Sequence, residues 1–271
     1  MRRKRRKKQS KEVTKLNYIK ENKISYGLIM SFSSIKDKNL VRTLQENTSL
    51  KDKTVVISGS GNVAIYALEK AKELGAKVVA MSDSNGYIID ENGINLNVIK
   101  EIKEVKKGRI KEYLNYKGNA VYTESNKENP TIWSIKCDIA LPCATQNELT
   151  LDDAKLLVKN GVIGVFEGAN MPTTLEAYHY LVDNNIIYGP GKASNAGGVS
   201  VSGLEMSQNS LRLSWTKEEV DARLQKIMND IFMNVYNTSI KYDIPINDLL
   251  KGANIAGFEK VADAMIAQGT I

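Results

Sequence analysis

The stretch TVVISGSGNVAIYALEKAKELGAKVVAMSDSNG, residues 54–86, decides the fold of this 271-residue chain. It begins with a short β-branched run, TVVIS (54–58), which is typical of a buried strand. A glycine turn follows, and the apolar spacing after it predicts a helix over Asn62–Leu74, with Gly75 at the position of a C-terminal glycine. The run KVVAMS (77–82) predicts a second strand. Strand, helix and strand in this order predict a βαβ unit with two parallel strands.

Strands and helices keep alternating along the chain as far as Asn195. The patterns predict, in order, a helix (95–106), a strand near 119–122, a strand (137–142), a helix (151–160), a strand (162–167), a helix (173–184) and a strand (186–189). Two further helices, 216–241 and 254–268, are predicted after the last strand. The expected fold class is therefore α/β, a doubly wound, mostly parallel, Rossmann-like sheet with C-terminal helices.

The turn after the first strand has the sequence Gly59-Ser60-Gly61-Asn62-Val63-Ala64, a G-x-G-x-x-A pattern. In such turns the first glycine permits the tight bend, the second lets the backbone approach a pyrophosphate, and the small third residue lets helix and strand pack closely. Asp83 stands 22 residues after Gly61, at the end of the second strand, where an acid accepts from a ribose hydroxyl. These features favour dinucleotide binding over a flavodoxin-like sheet without such a ligand.

Composition places the chain among ordinary globular proteins, with 42% hydrophobic and 25% charged residues. No stretch of about 20 apolar residues and no secretory signal are visible, so we expect a soluble, cytoplasmic protein without a membrane partner. Two cysteines, Cys137 and Cys143, and one histidine are too few for a tetrahedral zinc site, so no metal is predicted. We expect both cysteines to be buried apolar residues and His179 to be a surface or hydrogen-bonded side chain.

The net charge of +7 is concentrated at the N-terminus. Residues 1–16 hold nine basic residues and one acid, a net charge of +8, so the remaining 255 residues carry −1. We expect these 16 residues to form a disordered basic arm, with a nuclear address or an anionic-surface tether as alternatives. No nucleic-acid partner is expected except through this arm, where binding would depend strongly on salt.

Several longer strings carry a family resemblance. They are ISGSGNVA (57–64), KCDIALPCATQNEL (136–149), EGANMPTT (167–174), PGKASNAGGVSVSGLEMSQNSLRLSW (190–215) and GANIAGFEKVADAMIAQG (252–269). From about Leu50 to Ile271 the chain resembles the coenzyme-binding domain of hexameric, NADP-type glutamate dehydrogenases. The resemblance implies NADP as cofactor and an oxidoreductase activity that converts glutamate and NADP to 2-oxoglutarate, ammonia and NADPH.

The resemblance also assigns roles to individual residues. It implies that the ATQN loop contacts the ribose and nicotinamide side of the cofactor, that the GAN turn lies beside the nicotinamide ring, and that the asparagine of NAGG lies over the cleft. These positions are Ala144, Thr145, Gln146, Asn147, Ala169, Asn170 and Asn195. It further implies that this domain lends two residues to the glutamate pocket, Val199 by apolar contact and Ser202 by a hydroxyl to the α-carboxylate.

The choice between NADP and NAD depends on the string Ser82-Asp83-Ser84 and on Lys103. The string resembles the NADP-dependent branch of the family, and Lys103 matches a lysine that this branch places near the 2′-phosphate. Asp83 favours the other cofactor, because a carboxylate repels a phosphate dianion and accepts well from a free 2′-hydroxyl. We predict NADP on the resemblance, with NAD as the alternative.

The predicted organisation is the basic arm (1–16), a helical lead-in (17–50) with a helix near Tyr26–Gln45, and the dinucleotide-binding domain (51–271). The family's catalytic lysines and general-acid aspartate come from a separate substrate domain that normally carries the string PGGGKGG, which this sequence lacks. No catalytic residue is therefore predicted, and glutamate or 2-oxoglutarate is expected to bind only if a substrate domain is supplied. We expect a truncated form that is inactive alone and assembles weakly or not at all, although the family forms homo-hexamers. The alternatives are a non-catalytic nucleotide-binding module tethered through its arm to nucleic acid or an acidic partner, and a decoy subunit that joins homologous hexamers.

Overall fold

A computed structural model describes residues 50–126 and 131–269 of the chain. Its centre is a seven-stranded sheet in the order β4-β3-β2-β1-β5-β6-β7. The strands are β1 (Thr54–Ile57), β2 (Lys77–Asp83), β3 (Gly86–Ile89), β4 (Val121–Glu124), β5 (Ile139–Leu141), β6 (Gly164–Phe166) and β7 (Ile187–Gly189). The predicted basic arm, all of the lead-in except Leu50, and the helix near 26–45 lie outside the described residues.

Five neighbouring strands are parallel, as the βαβ alternation predicts. β1 pairs with β2 on one side and with β5 on the other, and β6 and β7 continue beyond β5. Helices cover both faces, so β5, β6 and β7 are buried throughout. In β1, Val55 and Ile57 pack into the core on one face, whereas Val56 packs into the core on the other. The predicted doubly wound, mostly parallel α/β class is confirmed.

At the β4 edge of the sheet, the strands do not follow the alternation of strand and helix that gives parallel pairs. β3 is antiparallel to β2, and β4 is antiparallel to β3. β3 is not among the predicted strands, although Asn85-Gly86 is a known hairpin signal. Gly86 is required at this position, because a Cβ there would overlap the carbonyl oxygen of Thr123 on β4. β4 itself begins two residues later than the strand predicted near 119–122.

The α-helices among the described residues lie mostly where the sequence predicts them. They are α1 (Asn62–Glu73), α2 (Leu96–Lys100), α3 (Leu151–Lys159), α4 (Leu175–Asp183), α5 (Gly191–Ser194), α6 (Gly197–Ser210), α7 (Lys217–Lys241) and α8 (Leu249–Gln268). α2 continues into a π-helical turn (Glu101–Val105), and together they fill the predicted helix 95–106. Two 3₁₀ turns, Ile110–Asn115 and Ile132–Ser134, are not predicted by the apolar pattern. Most of the remaining boundaries move inward by one or two residues.

α1 buries more than the one face that its apolar spacing indicates. The spacing places Val63, Tyr66, Ala67, Lys70 and Leu74 near one face, of which Tyr66 and Ala67 are buried and Val63 and Leu74 are partly buried against the core. The helix also buries Ala64, Ile65, Leu68 and Ala71. Alanines at three of the buried positions let α1 lie close to β1 and β2, so the helix buries more of its circumference. Lys70 instead pairs with Glu73 across a 2.8 Å contact.

The chain after β7 is helical, as predicted, but it contains more helices than the pattern indicates. α6 is not predicted, because its Gly197-Gly198 start and its many small polar residues give no clear apolar period. α7 begins at the expected place, since Thr216 and Glu219 form a reciprocal capping box. The apolar spacing of the predicted helix also includes Ile240, but this residue is 51% exposed and does not join the buried residues of α7.

The last helix, α8, begins five residues before the predicted start at 254. The Asp248 side chain accepts from the Lys251 amide and caps the helix there. α8 packs against α7, and its buried residues, Leu249, Gly252 and Ala256, all lie in its first half. No helix in residues 50–126 or 131–269 combines the length and the apolar character that a bilayer crossing requires.

Candidate functional site

Two adjoining cavities open where the parallel strands end. One, of about 600 Å³, lies over the ends of β1 and β2, and the other, of about 540 Å³, lies over the ends of β5, β6 and β7. They share the lining residues Val63, Cys143 and Ala144. The chain passes from β1 to β2 on one side and later returns to place β5 on the other side of β1. This is the topological switch point of the sheet, where open α/β folds bind their ligands.

The glycine turn forms one wall of the larger cavity, and its two glycines have different surroundings. Gly59 has φ of +85°, and a Cβ there would lie 3.0 Å from the Cys143 carbonyl oxygen. Its amide donates to Ser82 Oγ at 2.8 Å, which ties the turn to the end of β2. Gly61 precedes α1 with φ of −81°, and a Cβ there would meet no protein atom within 4 Å. Gly59 is therefore required by the protein itself, whereas Gly61 faces open space at the N-terminus of α1.

A partly buried carboxylate, Glu148, joins the glycine turn to the loop after β5. Ser58 Oγ donates to Glu148 Oε1 at 2.8 Å and accepts from the Cys143 amide at 2.8 Å. The Ala144 amide also donates to Glu148 Oε1, at 2.9 Å. Burial is the main cause that raises the pKa of Glu148, while the hydrogen bonds from Ala144 and Ser58 act in the opposite direction. Sequence reasoning missed this residue, although it directly follows the quoted ATQN string.

The far end of the larger cavity carries two cations, Lys103 and Arg109. Lys103 Nζ donates to the Gly108 carbonyl oxygen at 2.9 Å. Arg109 Nη1 donates to Ser84 Oγ at 2.9 Å, so the guanidinium group is held over the turn after β2. Arg109 was not predicted as a site residue, and the available signal was the basic run KKGRIK that follows Lys103.

Asp83 lies at the same end of the cavity, but its carboxylate already has backbone partners. Oδ1 accepts from the Asn85 amide at 2.9 Å, and Oδ2 accepts from the Ile110 amide at 3.1 Å. The carboxylate therefore bridges the turn after β2 and the segment that carries Arg109.

The second cavity is lined by small, uncharged residues. They are Val63, Cys143, Ala144, Gly168, Ala169, Asn170, Asn195, Gly198, Val199 and Ser202. Asn195 Nδ2 donates to the carbonyl oxygens of Gly168 and Ala169, at 3.4 and 3.3 Å, and so joins the turns after β6 and β7. Val199 is 71% exposed at the start of α6. Ser202 Oγ donates to the Gly198 carbonyl oxygen at 3.2 Å.

A buried carboxylate, Glu167, holds the loops that line this cavity. It accepts from the Gly191 amide at 2.7 Å, from the Tyr188 hydroxyl at 2.5 Å and from the Thr173 amide at 3.2 Å. Burial and the adjacent carboxylate together raise the pKa of Tyr188 far above its ordinary value, so Tyr188 stays a donor. Glu167 thereby joins the segments that follow β6 and β7, and sequence reasoning missed it.

The structure brings most of the predicted site residues together. All line the two cavities except Gln146 and Asn147, which lie exposed on the same loop. The Asn147 amide donates to the Met171 carbonyl oxygen at 3.0 Å and joins that loop to the turn after β6.

The remaining reactive residues lie away from these cavities or are buried. Cys137 and Cys143 are both buried and unpaired, as predicted, although Cys143 also contributes to both cavity walls. His179 is exposed on α4, in agreement with the surface alternative. Across residues 50–126 and 131–269, no group of three or more His, Cys, Asp or Glu side chains is placed to hold a metal ion.

Comparison with known proteins identifies the family. Residues 20–269 match the family model described as Glutamate/Leucine/Phenylalanine/Valine dehydrogenase. The chain belongs to this dehydrogenase family. Within the family it is 54% identical over 230 residues to the NADP-specific glutamate dehydrogenase of Helicobacter pylori, covering 83% of this chain and 51% of that protein. It is 56% identical over 224 residues to the NAD(P)-specific glutamate dehydrogenase of Xylanibacter ruminicola, covering 82% of this chain and 49% of that protein.

Solved structures of the dehydrogenase family have the same fold. The crystal structure of Plasmodium falciparum glutamate dehydrogenase aligns with a TM-score of 0.83 at 46% identity, over 93% of this chain and 52% of that chain. The chain thus spans about half the length of the relatives it matches. The resemblance to the coenzyme-binding region of NADP-type glutamate dehydrogenases is confirmed.

Proposed function

We propose that this chain binds NADP and acts as the coenzyme-binding part of an NADP-dependent glutamate dehydrogenase. The observation that carries the proposal is the pair of adjoining cavities at the topological switch point, with a glycine turn at one wall and two cations at one end. A dinucleotide is an extended ligand with a central pyrophosphate, and this arrangement suits its shape and its charges.

The pyrophosphate is assigned to the N-terminus of α1. Backbone amides at a helix N-terminus favour an anion, both as hydrogen-bond donors and through the helix dipole. No side chain caps α1, and a Cβ at Gly61 would project into space that the protein leaves open. The residues that form this wall therefore fit a closely approaching phosphate group.

The 2′-phosphate is assigned to Lys103 and Arg109. Arginine binds phosphate through a planar fork of donors, and lysine supplies a compact charge beside it. NAD has no phosphate at this position, so these two cations favour NADP. The relatives support NADP as a ligand of the family, since one is named NADP-specific and another NAD(P)-specific.

The nicotinamide end is assigned to the second cavity, where Asn170 and Asn195 offer both donors and acceptors to an uncharged carboxamide. Val199 and Ser202, at the rim, are assigned to the glutamate pocket. Among the described residues that line this cavity, Cys143 is the one ionisable side chain, and burial raises the pKa of that thiol well above its ordinary value. Groups other than these described lining residues must therefore supply the proton transfers of glutamate oxidation, and we expect these residues to bind coenzyme without turning glutamate over.

A fluorescence titration tests the proposal. NADPH and NADH are each added to the full chain, and dissociation constants are obtained for the unchanged protein and for Lys103→Ala. We expect NADPH to bind more tightly than NADH, and Lys103→Ala to weaken NADPH by about tenfold with a much smaller effect on NADH. Lys106→Ala is the matched control, since Lys106 is three residues away, is exposed and does not line the cavity. An equal loss of both nucleotides in Lys103→Ala would contradict the NADP assignment.

A further inference from the structure

Asp83 stands at the position where sequence reasoning expects an acceptor for a ribose hydroxyl. There it would favour NAD, because its charge would repel a 2′-phosphate. The hydrogen bonds that Asp83 accepts in the structure indicate a different role for this carboxylate.

Both oxygens of Asp83 accept from backbone amides. One amide belongs to Asn85, two residues later in the turn after β2, and the other belongs to Ile110, 27 residues later. Hydrogen bonds to a carboxylate are stronger than neutral ones, so the pair fixes the position of the second segment against the first. The Ile110 side chain is itself fully buried, which fixes the position of the segment that carries it.

The hydrogen bond between Asp83 and the Ile110 amide lies immediately beside Arg109. The Arg109 amide donates to Glu112 Oε1 at 3.0 Å, and its guanidinium group donates to Ser84 Oγ. Ser84 is the residue directly after Asp83, and Ile110 is the residue directly after Arg109. The carboxylate therefore holds together the two segments whose side chains meet over the end of the larger cavity.

We propose that Asp83 is a positioning residue that favours NADP, because it holds Arg109 in place to meet the 2′-phosphate. This inference rests on the proposed function, since it requires that a dinucleotide occupy the cavity. Two backbone amides donate to the carboxylate, one to each oxygen, so the protein itself offsets part of the negative charge that a 2′-phosphate would meet. The acid and the phosphate are compatible in one site for this reason.

The two roles predict opposite results for Asp83→Asn. If Asp83 acts by repulsion, removing its charge strengthens NADPH binding. If it positions Arg109, the substitution weakens NADPH binding, because an asparagine side chain has one acceptor oxygen and cannot accept from both amides in place of the carboxylate. We expect the ratio of the NADH to the NADPH dissociation constant to fall by about tenfold.

The experiment is a set of NADPH and NADH titrations on the full chain and on Asp83→Asn, Arg109→Ala and the double variant. If Asp83 acts through Arg109, its substitution has little further effect on NADPH once Arg109 is alanine. Glu91→Gln is the matched control, since it removes an exposed carboxylate at the opposite end of β3. Amide hydrogen exchange supplies a measurement without nucleotide, and we expect faster exchange at Ile110 in Asp83→Asn.

The outcomes separate this inference from the proposed function. NADPH binding that is unchanged or stronger in Asp83→Asn overturns the inference and leaves the proposed function standing. An equal loss of NADPH affinity in the presence and absence of Arg109 also overturns it. If the unchanged chain binds neither nucleotide, the proposed function and the inference both fail.

Discussion

Replacing Gly61 with alanine should weaken nucleotide binding while leaving the free energy of unfolding nearly unchanged. A Cβ at this position meets no protein atom within 4 Å, and its φ of −81° is accessible to alanine. The weaker N-cap preference of alanine and the lower entropy of the unfolded chain act in opposite directions, so the free energy of unfolding should change by less than about 1 kcal/mol. If a pyrophosphate occupies the space beside Gly61, the added methyl group overpacks the complex by about 2 kcal/mol, or roughly thirtyfold in the dissociation constant.

Gly59 is the matched control, because its substitution should have the opposite profile. Its φ is +85°, and a Cβ would lie 3.0 Å from the Cys143 carbonyl oxygen and 3.1 Å from the Ala144 Cα. Strain and contact together should cost about 2–4 kcal/mol of folding stability. For a domain of this size, that loss corresponds to a decrease of roughly 5–15 °C in the melting temperature.

The assay pairs thermal unfolding with NADPH titration for both variants. We expect Gly61→Ala to melt within about 3 °C of the unchanged chain while binding NADPH far more weakly. Gly59→Ala should lose melting temperature even without nucleotide. Normal NADPH affinity in a folded Gly61→Ala variant would refute the assignment of the pyrophosphate to this turn.

Three further predictions concern buried groups. Burial raises the pKa of Glu148, so the folded chain holds the carboxyl proton more tightly than the unfolded chain does. The stability of the unchanged chain therefore falls as pH rises above the ordinary carboxyl pKa, whereas Glu148→Gln lacks this loss. The melting temperature of Glu148→Gln should rise relative to that of the unchanged chain between about pH 4 and pH 7. Burial also raises the pKa of Cys137 to about 12 and that of Cys143 well above its ordinary value, so neither thiol should react with iodoacetamide until the chain unfolds, and rapid labelling of the native chain would contradict their burial. Tyr178→Phe removes the 2.8 Å hydrogen bond to the fully buried Asp248 and should cost about 1–3 kcal/mol in urea unfolding, whereas an unchanged midpoint would show that this bond contributes nothing.

The parts of the fold that sequence predicts are those set by local patterns. The run 54–58 is β-branched, the glycine turn follows it at once, and the next helix has a clear apolar period, so the βαβ unit needs no distant information. Local sequence patterns do not predict α6 or β3. α6 is rich in small residues without an apolar period, and β3 becomes a strand through its pairing with β4, which comes more than 30 residues later.

The residues of the candidate site also divide into those found by local sequence patterns and those found only through contacts distant in sequence. Its glycines and loop amides stand in recognisable strings, and most of those residues line the two cavities. Glu148, Glu167 and Arg109 were missed because their contacts join residues far apart in sequence. The Ser58 to Glu148 bond spans 90 positions, and the Arg109 to Ser84 bond spans 25. Residue type alone gives no sign that these side chains hold loops around a cavity.

A crystal structure of the full chain with NADPH tests the central claim most directly. We expect the pyrophosphate at the first amides of α1, beside Gly61, and the 2′-phosphate in contact with Lys103 and Arg109. A dinucleotide bound elsewhere on the sheet, or one whose 2′-phosphate points away from both cations, would contradict that claim.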